Sequence, residues 1–343
     1  MIKPQQLRKG DTIAVISPSG GAAAKFRSIY DGGVQFIEHE YGLKIEEYPT
    51  VRMNRDELYQ NPKIRAKDVN DAFADAEVKG IIASIGGSDS VRILQYLDID
   101  IIMKNPKKIM GYSDSTAFLS FLNIHGLVTY YGPSVMAGFA YLKNFHNARS
   151  EYQNVLFGNK IYEIKAFPKW ADEYKSWMEI ENIGEVKEIY EDRNEHRWIN
   201  KGKTTTGRLW GGCIEILEMM NGTFAWPIID FFDDIVLLIE TSEEKPTPDH
   251  IGYVLRNFGL QGILNRIQGL LLAKPKAYSD NEKAELEDIV KRTVVDEWGR
   301  KDLKIIANMD FGHTEPRHIM PYGINLEIDP KLESISFIDN IYA

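Results

Sequence analysis

Cysteine is almost absent from this 343-residue sequence, which contains only Cys213. A single cysteine excludes an internal disulfide and a metal site built from several thiolates. Long apolar runs are also missing, since no segment approaches the ~18 apolar residues of a membrane span. The N-terminal apolar stretch at 13–16 is too short for a secretion signal. We therefore expect a cytoplasmic protein that has no membrane partner.

An excess of basic residues is likewise lacking. The sequence has 41 lysines and arginines against 50 aspartates and glutamates, a formal net charge of −9. This charge repels polyanions, so nucleic acid is not an expected partner. The apolar fraction of 43% and the charged fraction of 27% are typical of a globular protein, and the length predicts two domains.

Short apolar runs alternate with helical patterns in residues 1–142. The predicted strands are 12–17, 44–48, 80–85, 107–110 and 127–131. The predicted helices between them are 26–41, 61–76, 91–97 and 115–125. This alternation predicts a parallel, doubly wound α/β sheet. Ligands of such sheets bind beyond the carboxyl ends of the strands, where the sequence has SPSGG, GGSDS and GYSDST.

The rest of the chain has a different pattern. Residues 143–205 are rich in Trp, Tyr, Glu and Lys with little clear periodicity, which indicates a connector or lid arm. Residues 206–343 are predicted to form a mixed α+β domain. Its predicted strands are 235–240, 269–273, 304–309, 324–328 and 334–338, and its predicted helices are 212–221, 248–258 and 280–297.

Ser113 is the candidate nucleophile. The strand at 107–110 leads into Gly-Tyr-Ser-Asp-Ser at 111–115, and a helix begins at once. A serine on such a turn resembles the nucleophile elbow G-x-S-x-G, although Ser115 replaces the final glycine. The helix N-terminus offers N–H groups and a positive dipole end to a developing oxyanion. The alternative is that Ser113 or Asp114 only caps the helix.

Two glycines, Gly86 and Gly87, follow the predicted strand 80–85. Glycine lets the backbone approach a ligand closely, so the amide of Gly87 could join that of Asp114 in a two-donor oxyanion hole. The GGSDS segment matches neither phosphate-binding pattern, G-x-G-x-x-G or the P-loop. A simple turn is the alternative for this segment.

Among the seven histidines, His313 is the candidate base. It lies between Gly312 and Pro316 in a loop that directly follows the strand 304–309. A rigid sheet can position a functional side chain on such a loop. His318 is the nearest competitor, and an ordinary loop histidine is the alternative.

A catalytic histidine needs an anion that fixes its tautomer, and Glu240 is the candidate. It ends the most apolar strand of the second half, where a hydrogen bond at the edge of a dry core is strong. Asp310 and Glu243 are alternative acids, and a solvated glutamate at a strand end is the third possibility.

Taken together, these segments resemble the LD-carboxypeptidase family of serine peptidases. The resemblance runs nearly end to end through GDTIAVISPS at 10–19, IGG at 85–87, GYSDST at 111–116, GRLWGG at 207–212, LIETS at 238–242 and DFGHT at 310–314. It implies a triad of Ser113, Glu240 and His313 without metal or cofactor, and an oxyanion hole from the Gly87 and Asp114 amides. It also implies a Rossmann-like N-terminal domain, a C-terminal domain that supplies the acid and the base, and a homodimer.

Within this family, the segment that begins Gly86-Gly87-Ser88 resembles the microcin-immunity branch. An aromatic residue on the arm of that branch stacks on a nucleotide base, a role that the resemblance suggests for Trp177 or Trp170. Packing between domains or protomers is the alternative. A substrate carboxylate would need a cation, for which Arg92 and Lys245 are candidates, with Gly86 and Ser88 as further substrate contacts. Cys213 departs from the family, which commonly has Asn there.

The predicted function is therefore a serine carboxypeptidase or amidase. The resemblance favours cleavage of an aminoacyl-nucleotide amide of microcin C type, and its alternative is release of the terminal D-amino acid from a murein tetrapeptide. A non-enzymatic protein that binds a small ligand is the alternative from another class. A dinucleotide oxidoreductase is disfavoured, because no glycine fingerprint with a downstream acid follows the first strand.

Overall fold

The structure, a computed structural model, describes residues 1–158, 162–191 and 195–343, so six residues of the predicted connector, 159–161 and 192–194, lie outside the described residues. The strands in chain order are β1 (Thr12–Ile16), β2 (Lys44–Glu47), β3 (Val78–Ala83), β4 (Lys108–Gly111), β5 (Thr129–Tyr131), β6 (Arg197–Asn200), β7 (Thr205–Cys213), β8 (Ile235–Glu240), β9 (Gly269–Ala273), β10 (Lys304–Met309), β11 (Met320–Tyr322), β12 (Asn325–Asp329) and β13 (Ser334–Phe337). The α-helices are α1 (Ala22–Lys25), α2 (Arg27–Tyr41), α3 (Arg55–Gln60), α4 (Pro62–Ala74), α5 (Ile99–Lys104), α6 (Thr116–Ile124), α7 (His146–Phe157), α8 (Ile214–Met220), α9 (Pro248–Leu260), α10 (Ile263–Arg266) and α11 (Asp280–Lys291).

The first sheet has the strand order β2-β1-β3-β4-β5-β11. All neighbours from β2 to β5 are parallel, and this order is one of the two common doubly wound arrangements. All four residues of β4 are buried, as expected for parallel strands that are covered on both faces. The predicted doubly wound α/β sheet is confirmed.

The second sheet has the order β13-β12-β7-β8-β9-β10-β6. Its centre, from β7 to β10, is parallel, while β12, β13 and β6 pair in antiparallel fashion. Every residue of β8 and β9 is buried. The mixed α+β character predicted for the second half is confirmed.

The second half of the chain also contributes an edge strand to the first sheet. The three residues of β11 pair antiparallel with β5, with Met320 opposite Tyr131. The rings of Tyr131 and Tyr322 stack, with centroids 5.7 Å apart and an angle of 8° between the ring planes. The sequence predicted no strand from the second half of the chain in the first sheet. β11 was missed because three residues are too few to show the two-residue alternation of side chains that indicates a strand.

The segment predicted to be an irregular connector contains regular structure. Helix α7 spans twelve residues, and β6 pairs with β10. The buried residues of α7 are Ala148, Tyr152, Val155 and Leu156. Their spacing of four, three and one is helical, so the periodicity was present in the sequence and the prediction overlooked it. None of the helices in the described residues is long and apolar enough to cross a membrane.

Candidate active site

The turn that carries Ser113 has a strained backbone. β4 ends at Gly111, Ser113 has a φ of +59°, and α6 begins at Thr116 after one short 3₁₀ turn. A positive φ in a residue other than glycine is uncommon and costs energy that the surrounding structure must supply. The sharp turn places the Ser113 hydroxyl at the carboxyl end of the parallel sheet.

The structure brings Ser113, His313 and Glu240 together in one hydrogen-bonded chain. His313 Nε2 lies 3.0 Å from Ser113 Oγ, and His313 Nδ1 lies 2.7 Å from Glu240 Oε2. The three residues are 9%, 6% and 2% exposed, respectively. Both distances are those of good hydrogen bonds, and the low exposure keeps water from competing for them.

Two parallel strands of the second sheet position Glu240 and His313. Glu240 is the last residue of β8, and His313 lies four residues beyond the end of β10. Gly312 permits the loop to pass directly over the carboxylate, because it has a φ of +97° and a Cβ there would lie 2.6 Å from Glu240 Oε2. A residue with a side chain would be excluded from this position by both the φ and the contact.

Tyr131, at the end of β5, connects the two halves of the site. Its hydroxyl accepts a hydrogen bond of 2.9 Å from the Ser113 N–H and donates one of 2.5 Å to Glu240 Oε1. Burial raises the pKa of Tyr131 well above its usual value, and the neighbouring Glu240 adds to the effect. Tyr131 was not among the site residues predicted from the sequence. Its only signal was its place at the carboxyl end of the strand beside the one that carries Ser113.

A second carboxylate contacts the histidine. Glu243 Oε2 lies 3.0 Å from His313 Nε2, the same nitrogen that faces Ser113. Burial lowers the pKa of His313, but Glu240 and Glu243 outweigh it and raise the pKa to about 9. The hydrogen bond with His313 in turn lowers the pKa of Glu243 to about 2. The arrangement therefore holds His313 in its charged form at neutral pH.

The glycine loop after β3 lies against the serine. A Cβ on Gly86 would lie 3.2 Å from Ser113 Oγ and 3.7 Å from the Asp114 nitrogen. Gly87 packs against Ser19 and Gly20 of the loop that follows β1. The buried Asp114 carboxylate fixes the glycine loop, because its Oδ2 accepts hydrogen bonds from the Asp89 and Ser90 amides at 3.2 and 2.9 Å. Burial raises the pKa of the Asp114 carboxyl.

A cavity of about 370 Å³ opens directly onto this centre. Apolar and aromatic side chains form much of its wall, beside an ammonium group, a carboxylate and the imidazole; its lining residues are Ile85, Gly86, Gly87, Tyr112, Ser113, Ala137, Tyr174, Trp177, Glu243, Lys276 and His313. A wider cavity of about 940 Å³ shares Gly86, Gly87 and Glu243 with the first and also includes Ser88. The predicted contacts Gly86, Ser88 and Trp177 thus each line at least one of the two cavities.

Other predicted residues are placed elsewhere. Lys245 pairs with Glu282 at 2.9 Å, and Arg92 pairs with Asp89 at 2.8 Å; neither lines the two cavities. Asp310, an alternative acid, forms a buried ion pair with Lys274 at 2.9 Å. Cys213 is buried at the end of β7, where its amide donates to Thr116 Oγ1 at 2.9 Å.

His318, the competing histidine, lies in a separate buried cluster. Its Nδ1 faces Glu151 at 2.9 Å, and its ring stacks on Phe167 with centroids 4.3 Å apart. Ligand atoms of His196, Asp310 and His318 lie within 4.8 Å of one another. The Lys274 ammonium pairs with the Asp310 carboxylate in this cluster, so a positive charge already occupies its edge.

Sequence comparison gives matches in both halves of the chain. Residues 13–132 match the LD-carboxypeptidase N-terminal domain, and residues 206–328 match the LD-carboxypeptidase C-terminal domain. The microcin C7 self-immunity protein MccF of Escherichia coli is 27% identical over 97% of this chain and 94% of its own length. A protein of Bacillus subtilis named "probable murein peptide carboxypeptidase" is 25% identical over 94% of this chain and 89% of its own length.

Structural comparison agrees with these matches. The crystal structure of an MccF-like protein from Streptococcus pneumoniae in complex with AMP superposes with a TM-score of 0.85 and 26% identity. The superposition covers 96% of this chain and 98% of that protein. The similarity thus extends over nearly the whole of both chains.

Proposed function

This chain belongs to the LD-carboxypeptidase family, a family of hydrolases, and on that premise we propose that it cleaves an amide bond in a small peptide-like substrate with Ser113 as the nucleophile. The single observation that carries the proposal is the hydrogen-bonded chain from Ser113 Oγ through the His313 ring to Glu240. Three side chains from distant parts of the sequence meet in the order that nucleophilic catalysis needs. No metal or cofactor enters the proposed reaction.

The acylation step follows from this geometry. Neutral His313 accepts the Ser113 proton through Nε2 while Ser113 Oγ attacks the carbonyl carbon. The amides of Gly87 and Asp114 stabilise the oxyanion, and removal of one such donor typically costs ~3–4 kcal/mol of barrier. Glu240 keeps the His313 Nδ1–H oriented and stabilises the imidazolium. His313 then donates the proton to the leaving nitrogen, and the C–N bond breaks.

Deacylation uses the same groups. Water takes the place of the departed amine and gives a proton to His313 Nε2 as it attacks the acyl-enzyme. The second tetrahedral intermediate collapses, Ser113 regains its proton, and the acid product leaves. The partly apolar walls of the 370 Å³ cavity limit the access of other water molecules to the intermediate.

For the substrate, we propose an aminoacyl-nucleotide amide of microcin C type. Trp177 and Tyr174 present aromatic surface in the cavity beside Ser113, which suits a flat base. The relative named as a microcin self-immunity protein and the neighbour that binds AMP support this choice. The B. subtilis relative supports the second candidate, a murein tetrapeptide that loses its terminal D-amino acid.

Three further expectations belong to this proposal. The protein is expected to act in the cytoplasm and to form a homodimer. We also retain the division into residues 1–142, a connector 143–205 and residues 206–343. Gel filtration with light scattering tests the dimer, and limited proteolysis tests the boundaries.

Covalent labelling tests the nucleophile. A fluorophosphonate should modify the wild-type protein at Ser113 and should not label the Ser113→Ala variant, because only an activated hydroxyl attacks phosphorus. Ser115→Ala is the matched control, since Ser115 is fully buried next to the site and its hydroxyl has no hydrogen-bond partner among the residues that the structure describes. A folded wild-type protein that resists labelling would instead support the non-enzymatic binding protein.

Product analysis then separates the two substrates. Wild-type protein is incubated with aminoacyl-sulfamoyl adenosines and with muropeptides in parallel, and the products are identified by mass spectrometry. Release of the free amino acid from the first compounds supports the proposal. Loss of a terminal D-alanine from the second would support the alternative. Glu240→Gln should lower kcat by ~10³–10⁴-fold with a modest change in KM.

A further inference from the structure

Glu243 competes with the nucleophile for the histidine. Its Oε2 and Ser113 Oγ both lie 3.0 Å from His313 Nε2. A single N–H cannot make two strong hydrogen bonds in different directions. The Glu243 side chain is 65% exposed, whereas Glu240 is buried. Of the two carboxylates on the imidazole, Glu243 is therefore the one that is free to move.

The contact with Glu243 opposes the proposed reaction. His313 must be neutral to accept the Ser113 proton, and a carboxylate at Nε2 stabilises the charged imidazolium. The Glu243 side chain is 65% exposed, so water or a cation can solvate its carboxylate once it leaves His313. A cation that enters the cavity and binds Glu243 would therefore separate it from His313 at low cost.

The cations near the His313 ring are held by other partners, although the charge of Lys276 helps to lower the pKa of the Glu243 carboxyl. Glu240 contacts the opposite nitrogen, and the Tyr112 ring lies edge-on at 5.1 Å. Lys276 enters from the loop after β9, but its ammonium donates to the Asp172 carbonyl at 2.7 Å and to the His313 carbonyl at 3.5 Å. The Arg317 guanidinium lies over Tyr112 and pairs with Glu315 at 2.7 Å.

We infer that Glu243 is the binding site for a free α-ammonium group on the acyl side of the scissile amide, and that the substrate ammonium replaces His313 as its partner. The inference rests on the proposed function. In an amino acid, the α-nitrogen lies about 2.5 Å from the carbonyl carbon. A carbonyl held for attack by Ser113 thus places its α-ammonium within reach of Glu243. As Glu243 leaves, the His313 imidazolium loses its Nε2 proton to solvent and becomes the neutral base.

This assignment distinguishes between the two proposed substrates. An aminoacyl-nucleotide amide carries a free α-ammonium beside the scissile bond. In a murein tetrapeptide, the α-nitrogen at that place is acylated, and the leaving D-amino acid carries a carboxylate that Glu243 would repel. Glu243 therefore favours the aminoacyl amide by attraction and disfavours the tetrapeptide by repulsion.

A matched substrate pair tests the inference. Alanyl-sulfamoyl adenosine has the α-ammonium, and propionyl-sulfamoyl adenosine lacks only that group. Wild-type protein should prefer the first compound in kcat/KM by about 10- to 100-fold, as expected for a hydrogen bond to a charged group. In Glu243→Gln the preference should fall below about 3-fold. Comparing the two proteins cancels the intrinsic reactivity of the two compounds.

The neighbouring glutamate provides the control. Glu244 has the same charge on the same loop, and it is exposed, so Glu244→Gln should keep the wild-type preference. The pH dependence supplies a second readout. With the propionyl compound, the acidic limb of kcat/KM should lie near pH 9 for the wild-type protein and at lower pH for Glu243→Gln, because one carboxylate no longer stabilises the imidazolium.

Binding separates failure of this inference from failure of the proposed function. In the Ser113→Ala background, where no acyl-enzyme forms, calorimetry should show tighter binding of the alanyl compound, and the added Glu243→Gln change should remove the difference. Equal binding of both compounds, or a preference that survives in Glu243→Gln, would overturn the Glu243 site alone. If the wild-type protein binds neither compound and resists fluorophosphonate, both proposals are wrong.

Discussion

The Tyr131 hydroxyl donates a hydrogen bond of 2.5 Å to Glu240 Oε1, so a strand of the first sheet holds the carboxylate that the second sheet contributes. The same oxygen accepts the Ser113 amide hydrogen at 2.9 Å. One buried phenol thereby connects the strained turn at Ser113 to the Glu240 carboxylate. Stacking on Tyr322 fixes its ring, so the position of this oxygen is set by both sheets.

Removal of this hydroxyl should weaken catalysis without removing any group that reacts. Tyr131→Phe leaves a buried carboxylate oxygen and a buried amide without a partner, at a cost of ~1–3 kcal/mol in the free energy of unfolding for each. We expect kcat to fall by ~10- to 100-fold, the effect of losing an outer hydrogen bond that orients a reacting group. Steady-state kinetics and thermal unfolding measure the two effects.

The pH profile separates a positioning role from simple destabilisation. Without the Tyr131 hydrogen bond, the Glu240 carboxylate is less stabilised and attracts the imidazolium more strongly, so the acidic limb of kcat/KM should move to higher pH. Tyr130→Phe is the control, because it removes a buried hydroxyl that donates to the Ile341 carbonyl at 2.8 Å, away from the site. If the acidic limb of kcat/KM lies at the same pH in Tyr131→Phe as in Tyr130→Phe, Tyr131 has no positioning role.

The nucleophile turn could be predicted because its signal is local. The strand, the turn and the helix around Ser113 lie within a few residues of one another, and short-range pattern rules apply to such a segment. Glu240 and His313 were predicted as candidates because Glu240 ends an apolar strand and His313 follows one, and the ends of parallel strands meet at one edge. That these two ends face Ser113 depends on how the sheets pack, which no local pattern contains.

Residues whose role depends on packing alone were missed or only partly understood. Tyr131 acquires its role because β4 and β5 are neighbours and β11 covers its ring. Glu243 was considered only as an alternative acid, and the sequence could not show that it faces Nε2 rather than Nδ1. That choice depends on the path of the loop after β8. Lys245, two residues further along, turns away to Glu282 for the same reason.

The rate of hydrolysis should rise with pH over a wide range. The pKa of His313 is about 9, and the base is active only when neutral, so the active fraction grows as pH rises through that value. For a substrate that does not displace Glu243, kcat/KM at pH 7 should be about one hundredth of its plateau, a tenfold loss for each unit below the pKa. A rate that stays flat between pH 6 and 8 would contradict the charged resting state.

The rate of fluorophosphonate labelling provides an independent measurement of how the activity depends on the protonation of His313. The labelling rate also requires neutral His313, so it should show the same pH dependence as hydrolysis. This agreement excludes a pH effect on the substrate itself. Glu240→Gln should label more slowly at every pH, since the imidazolium that forms during the attack loses its stabilising carboxylate.

The Trp177 ring is suitably placed to contact a nucleotide base. Its indole N–H donates to Tyr141 Oη at 2.6 Å, and its ring edge packs on Phe26, so its orientation is fixed. In the Ser113→Ala background, Trp177→Ala should weaken the binding of alanyl-sulfamoyl adenosine by about 5- to 150-fold, the value of one base–aromatic stack. Trp177→Phe should retain most of the affinity.

Trp170→Ala is the control for this experiment. Trp170 stacks on Tyr190 with centroids 4.6 Å apart and lies outside the two cavities described above. The Trp170→Ala substitution should therefore leave the affinity for alanyl-sulfamoyl adenosine unchanged. Equal losses in Trp170→Ala and Trp177→Ala would indicate that both rings act only through packing of the arm.

The loop over the acid should depend on the absence of a side chain at position 312. Gly312→Ala combines an unfavourable left-handed backbone, at ~1–2 kcal/mol, with a Cβ that would lie 2.6 Å from Glu240 Oε2. Gly299→Ala is a matched control, because Gly299 has a φ of +70° and no atom of the described part of the chain lies within 4 Å of an added Cβ. In both variants, the left-handed backbone should lower the free energy of unfolding by ~1–2 kcal/mol, which chemical unfolding measures. Only Gly312→Ala should also lose hydrolysis and fluorophosphonate labelling, because its methyl group pushes the His313 ring away from Glu240. Full activity in Gly312→Ala would show that the distance between His313 and Glu240 does not control the reaction.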